Sequence, residues 1–282
     1  MVSWYYLTQI FVLYIGSATL SLGLFGSMIN SIIFLTNPMY RSQPSTFFLL
    51  ISAITRFIHL FTIGLSRGLG VVFHIDVTCA SLLWCKTRYY VVNSGFGIAV
   101  TCECLAAIDP FLVTSRSAKL RRLSSIRWSH RIGIGVVTFW LLQNIPYFIF
   151  ADISSSICSI HNDFWDAYSV YVNNWLFFAI APMSICVLFG ILTYRNIRTL
   201  KARRQLQRID YQANYMVFGQ IVATIVPIIP GTFYFVYSSS AISLDEAAEK
   251  NSDYFIFNAL NTFTAFFYGV SKIINIFHHF NN

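Results

Sequence analysis

Charge is what this sequence has least of. Of 282 residues, 11% are Asp, Glu, Lys or Arg, less than half of the about 25% usual in a soluble domain. Hydrophobic residues make up 56% and aromatic residues 17%, and the mean hydropathy is +0.61. Lipid is the simplest solvent for such a surface. Residues 1–9 carry no basic n-region and no small-residue cleavage site, and the apolar stretch that follows is too long for an h-region, so no cleaved signal peptide is expected. The chain has no Asn-x-Ser/Thr acceptor, which excludes the usual N-glycan. It has no internal repeats, low-complexity tract or soluble domain, and no broken-helix pair of the kind that marks many transporters. Metal ligands do not cluster. Cys102 and Cys104, two residues apart, point to different faces of a helix, and His278-His279 alone is a weak metal site. Neither a metal nor a cofactor is expected.

Long uncharged runs are abundant. A helix needs about 20 apolar residues to cross a bilayer. Seven segments meet this, at roughly 10–35, 45–66, 82–113, 130–151, 167–194, 213–240 and 254–271. Backbone groups inside a bilayer must bond within their own segment or in a closed barrel, and a barrel strand would alternate. The expected fold is therefore an all-α integral membrane protein, a single domain over 1–282 built as a bundle of seven transmembrane helices.

Between these segments the charges sort by sign. The third gap holds Arg116, Lys119, Arg121, Arg122, Arg127 and Arg131 with no acid. The fifth holds Arg195, Arg198, Lys201, Arg203, Arg204 and Arg208 against Asp210, while Arg41 lies in the first gap and Lys272 after the last segment. The fourth gap carries Asp152, Asp163 and Asp166 with no base, and the sixth carries Asp245, Glu246, Glu249 and Asp253 against Lys250. The second has Asp76, with Arg67, Lys86 and Arg88 at its edges. Excess Lys and Arg marks the cytosol, which puts the odd gaps inside, the N-terminus outside and the C-terminus in the cytosol. The net charge of +8 then reads as topology plus attraction to anionic lipid, and no nucleic-acid partner is expected.

Two ionisable residues lie deep in the apolar segments. Such residues cost roughly 2.5–3.5 kcal/mol on insertion scales and usually mark a site. Arg56 is 11 residues in from Ser45, and Glu103 is about as far from the inner end of the third segment. At about 1.5 Å per residue they reach similar depths, so a buried ion pair is expected. The alternative is an Arg56 bonded to backbone carbonyls beside a protonated Glu103. On the inner side, Arg121-Arg122-Leu123-Ser124 has the pattern of a basophilic kinase site. The tail beyond Lys272 could lie along the membrane on Ile273, Ile276, Phe277 and Phe280.

Several positions, in order and spacing, resemble the rhodopsin-like (class A) G-protein-coupled receptors over the whole length, most like divergent invertebrate orphan receptors. They are Gly26 and Asn30 in the first segment, Cys85 and Asp109 twenty-four residues apart in the third, Trp140 and Pro146 in the fourth, Pro182 in the fifth, Pro227 and Pro230 in the sixth, and Tyr268 in the seventh. The resemblance implies a Cys85–Cys158 disulfide that holds the second outer loop over a ligand pocket, with Cys79 as a rival partner. It places Val92, Asn93, Phe96, Asn174, Gly231, Phe235, Tyr254 and Asn258 at pocket positions, and Asp109, Pro110, Phe111 and Tyr268 at the switch that faces a G protein. Val92 replaces the acid of amine receptors, and Asn258 stands where opsins carry their lysine, so neither a biogenic amine nor retinal is expected. A small neutral molecule or a peptide terminus fits better.

The chain also departs from that pattern. The D-R-Y arginine is Pro110, the sodium-site aspartate falls at or beside Arg56, Ile228 replaces the sixth-helix tryptophan, and N-P-x-x-Y reads Thr264-Ala265-Phe266-Phe267-Tyr268. Pro110 is expected to kink or end the third helix, with Asp109 bonding Arg116 or Arg122. The resemblance thus implies a multi-pass plasma-membrane receptor for an unidentified extracellular ligand, signalling to a heterotrimeric G protein and not an enzyme. A receptor-shaped protein that does not couple is the alternative, and a transporter or channel a minor one.

Overall fold

The computed structural model describes residues 12–36, 43–73, 81–154 and 157–202. The sixth and seventh expected helices lie outside the described residues, and with them Gly231, Phe235, Tyr254, Asn258, Tyr268 and the rival cysteine Cys79. A π-helical stretch, Val12–Gly16, leads into α1 (Ser17–Thr36); α2 (Pro44–Phe73), α3 (Leu82–Thr114) and the short α4 (Ala118–Leu123) follow. Then come α5 (Ile126–Gln143), α6 (Ile145–Phe150), β1 (Ala151–Ser154), β2 (Ile157–Ile160), α7 (Asp163–Tyr168), a second π-helical stretch (Ser169–Ile180) and α8 (Ala181–Ala202).

Five spans are long and apolar enough to cross a membrane: Tyr14–Thr36, Pro44–Ser66, Leu82–Thr114, Ile126–Phe150 and Asp163–Arg198. This is the architecture of an all-α membrane protein. The third span is the axis, packing against the second, fourth and fifth. Its most apolar stretch is 61% buried inside the protein, against 22% for the fourth. Sequence explains the contrast. Ser94, Gly95, Gly97, Ala99, Ala106 and Ala107 line the buried parts of the third span, and small residues let helices approach closely where no hydrophobic effect drives them together. The indole of Trp140 lies so close to Gly97 that a Cβ there would stand 2.4 Å from it, and the indole N–H of Trp140 donates to Thr101 Oγ1 at 2.9 Å. The fourth span turns Ile134, Phe139, Leu142 and Ile149 outward, as a lipid-facing helix does.

Prolines shape the rest. Pro44 opens α2, where its missing N–H is not needed. Pro146 divides the fourth span at Asn144, whose side-chain amide donates to Trp140 O at 2.8 Å. Pro182 lies just past the Ser169–Ile180 π-helical stretch, a widened register that accommodates a residue unable to donate one turn back. The third helix does not end at Pro110. The helix runs on to Thr114, the residue one turn before Pro110 is the small Ala106, and Thr114 Oγ1 donates to Pro110 O at 2.7 Å. A proline has no N–H to give the carbonyl one turn back, here that of Ala106, and the Thr114 hydroxyl bonds the carbonyl of Pro110 itself.

Several ends differ from hydropathy. The fourth span begins at Ile126 instead of 130, and α8 continues past Tyr194 to Ala202. Apolar content stops at the lipid boundary, whereas Arg and Ala prolong a helix into water. The loop between the fourth and fifth spans is a hairpin, with Ile153 opposite Cys158 and Ala151 opposite Ile160. It is the one sheet among the described residues.

Candidate functional site

The two ends of the bundle differ in charge. At one end Asn196 of the fifth span donates to Thr114 of the third at 3.4 Å, and Ser45 of the second meets Asp109. The basic α4 segment and Arg195 lie beside these contacts in the chain. At the other end are Asp152, Asp163 and Asp166, with Cys85 and Cys158.

At the acidic end, Ser81 caps the third span by accepting from Trp84 N at 3.4 Å. One turn in, the fully buried Cys85 is bonded to Cys158 of β2, with Cα atoms 5.9 Å apart. This separation lies within the usual range for a disulfide, and the bridge ties the hairpin to the third span. Tyr89 adds a second tie, its hydroxyl donating to Cys158 O at 3.3 Å. The Tyr89 ring stacks on Tyr147 at 6.1 Å and 3°, and Tyr147 meets Trp165 edge-on at 5.5 Å. The third span, the fourth span and α7 at the start of the fifth therefore share one aromatic column, to which Tyr89 ties the hairpin.

Below it lies a polar cluster that the sequence reading missed. Tyr147 OH donates to Ser169 Oγ at 2.8 Å. Asn173, with none of its surface exposed, donates to Tyr147 OH at 3.3 Å and accepts from Gln143 Nε2 at 3.0 Å. Gln143 also donates to Tyr168 OH at 3.3 Å. The signal for it was the adjacent amides Gln143-Asn144 and Asn173-Asn174 in otherwise apolar runs, since amides inside spans commonly bond across helices.

Of the described pocket candidates, Val92 and Phe96 both meet His59, whereas Asn93 and Asn174 bond back to their own helices. Asn174 turns away from Asn173 and donates to Ser169 O at 2.8 Å. The Asn93 amide bonds back to Tyr89 O at 2.9 Å. Val92 is half-buried, and its carbonyl meets His59 Nδ1 at 3.0 Å. Phe96 packs edge-on against Phe178 at 4.8 Å and near His59 at 5.8 Å.

At mid-depth the structure joins Arg56 and Glu103. Nε reaches Oε1 at 2.7 Å and the terminal nitrogen reaches Oε2 at 2.5 Å, a two-point clasp. Ser52 Oγ donates to Oε1 at 2.8 Å and accepts from Arg56 Nε at 3.3 Å. Both side chains are buried, 6% and 2% exposed. Two unlike charges that satisfy each other in hydrocarbon are each far less costly than alone.

At the basic end, Asp109 is buried and its carboxylate is held by serines, where Arg116 or Arg122 was expected. One oxygen accepts from the backbone N–H of Ser45 at 3.1 Å and also from its hydroxyl. The other accepts from Ser124 Oγ at 2.5 Å. Arg116, Arg121 and Arg122 are exposed, and Arg121 instead donates to Ser115 O at 3.3 Å. Long cations reach water easily, whereas short hydroxyls fit a buried carboxylate. Pro110 is buried beside Asp109, and Phe111 packs edge-on against Phe189 at 5.4 Å.

Among the described residues no group of three His, Cys, Asp or Glu could hold a metal. The chain matches no protein-family model and no curated protein, so a functional reading stands on its own residues.

Proposed function

We propose that this chain is a rhodopsin-like G-protein-coupled receptor of divergent type, in the plasma membrane with its N-terminus outside. It takes an extracellular small molecule or peptide at its acidic end and signals to a heterotrimeric G protein at its basic end. The observation that carries this is the third span. Cys85 at one end bonds to the outer hairpin, and Asp109 at the other end fastens the second span and the inner loop. A helix tied to loops on both faces suits coupling of an outer ligand to an inner rearrangement, provided the ligand prefers one arrangement.

Pro110 favours a second reading, a receptor-shaped protein that binds without coupling. It occupies the D-R-Y arginine position and is buried, so no cation projects there. The deciding experiment measures ligand-independent activation of a G-protein panel by wild type and Pro110→Arg at matched surface expression. The expected result is activation of one G-protein class by wild type above an empty-membrane control. Signalling by Pro110→Arg alone would replace the first reading with the second.

A further inference from the structure

The serine that closes the Asp109 cluster also ends the basic sequence Arg121-Arg122-Leu123-Ser124. We propose that Ser124 is a phosphorylation site for an arginine-directed serine/threonine kinase, and that its phosphate releases the inner loop from Asp109. This rests on the basic end facing the cytosol and on no other part of the receptor reading.

Three observations converge on Ser124. Two arginines stand two and three residues before it, and both are exposed, as kinase recognition of their charge requires. The segment before it, α4, is six residues long and buries none of them. Its N-cap Ser117 makes no side-chain cap bond. A helix this short is marginal without packing, so α4 opens at little cost and presents Ser124 in extended form. Finally, the Ser124 hydroxyl is the group that donates to Asp109 Oδ1, and the opposite carboxylate oxygen holds Ser45. Modification therefore acts on the bond that joins the inner loop to the start of the second span through the end of the third.

The chemistry balances with a nucleoside triphosphate as phosphoryl donor. Ser124 Oγ bonds the γ-phosphorus as the bond to the bridging oxygen breaks. The nucleoside diphosphate leaves, and the hydroxyl proton passes to the kinase's base. The product has lost the donor that Asp109 accepted from and carries a charge of about −1.5 to −2 instead. Beside a carboxylate this charge is repelled, whereas Lys119, Arg121, Arg122 and Arg127 offer partners in the same segment. The loop moves from Asp109 to its own arginines.

The test uses the purified full chain in nanodiscs with ATP and the catalytic subunit of an arginine-directed kinase, and reads site occupancy by mass spectrometry. Phosphate is expected at Ser124. It should be absent from Ser124→Ala and strongly reduced in Arg121→Ala/Arg122→Ala. Asp109→Asn should speed modification by about tenfold, the equivalent of one hydrogen bond to a charged acceptor. Independently of any variant, phosphorylation of wild type should raise hydrogen exchange over residues 115–125. Protein that keeps the Cys85–Cys158 bridge but gains no phosphate at Ser124 would overturn the proposal. So would modification that leaves exchange of the loop unchanged, or a loop cleaved by protease added outside intact cells. Silence in the G-protein panel would touch none of these readouts.

Discussion

Glu103 and Asp109 lie on the same helix and both are buried, yet Glu103 meets a guanidinium while Asp109 meets serine donors. They are six residues apart, about 9 Å along the axis. Depth accounts for the difference. Glu103 lies mid-span, where an isolated charge is costly and a formal counter-ion removes most of that cost. Asp109 lies in the last two turns, within reach of water and the basic end, where neutral hydroxyls and one backbone N–H suffice. Short polar side chains also bind the helix end to two other segments, which a long arginine would do less rigidly. The same chemical group thus serves as half of a neutral pair at one depth and as a junction for loops at another.

The largest effect expected from breaking this contrast comes from Glu103→Leu. It strands Arg56, which cannot give up its proton, in hydrocarbon, and should cost about 3–5 kcal/mol. Surface expression and detergent melting should both collapse. Arg56→Leu should be milder, because the stranded carboxyl can be neutralised by a proton from solvent. The charge-swapped protein, Arg56→Glu with Glu103→Arg, should recover expression relative to either single exchange. Equal expression of swap and single variants would show that the pair is not what holds these residues.

Gly97→Ala separates packing from charge, since it touches neither carboxylate. Its Cβ would lie 2.4 Å from the Trp140 ring, a rigid group held by Thr101. Overpacking of this kind costs about 1–3 kcal/mol. A drop of several degrees in melting temperature is expected, with the Arg56–Glu103 pair intact. An unchanged melting curve would mean that the third and fourth spans are free to shift apart.

The five described spans and the sorting of loop charge were legible in the sequence because both are properties of composition, which lipid reads residue by residue. Depth counting could place Arg56 near Glu103, since an ion in a span has few places to go. Cys85 with Cys158 could be named only through a resemblance, because spacing alone left Cys79 open. The partners of Asp109 were not legible. Ser45 is 64 residues away in sequence, and serines are too common to signal anything, whereas arginines beside an acid invite a false pairing. That Asn173 and not Asn174 joins the buried cluster was hidden for a different reason. The π-helical register of Ser169–Ile180 turns each side chain away from where a regular helix would aim it, and hydropathy carries no trace of that register.

The smallest effect tests the Asp109 end. Asp109→Asn keeps the size of the side chain and one carbonyl acceptor but removes the charge that strengthens the serine bonds. Charge-assisted hydrogen bonds are about twice as strong as neutral ones, so the loss should be about 1–2 kcal/mol, well below that of Glu103→Leu and at the lower end of the range for Gly97→Ala. Ser45→Ala removes the hydroxyl but leaves the backbone N–H in place, and should cost about 1 kcal/mol. Both variants should reach the surface, because no unpaired ion is left in the bilayer. Their clearest mark should be local, as faster hydrogen exchange over residues 115–125, with a drop of a few degrees in melting temperature. If Asp109→Asn instead proved as damaging as Glu103→Leu, Asp109 would be as dependent on its charge as the mid-span pair, and depth would no longer account for the two different sets of partners.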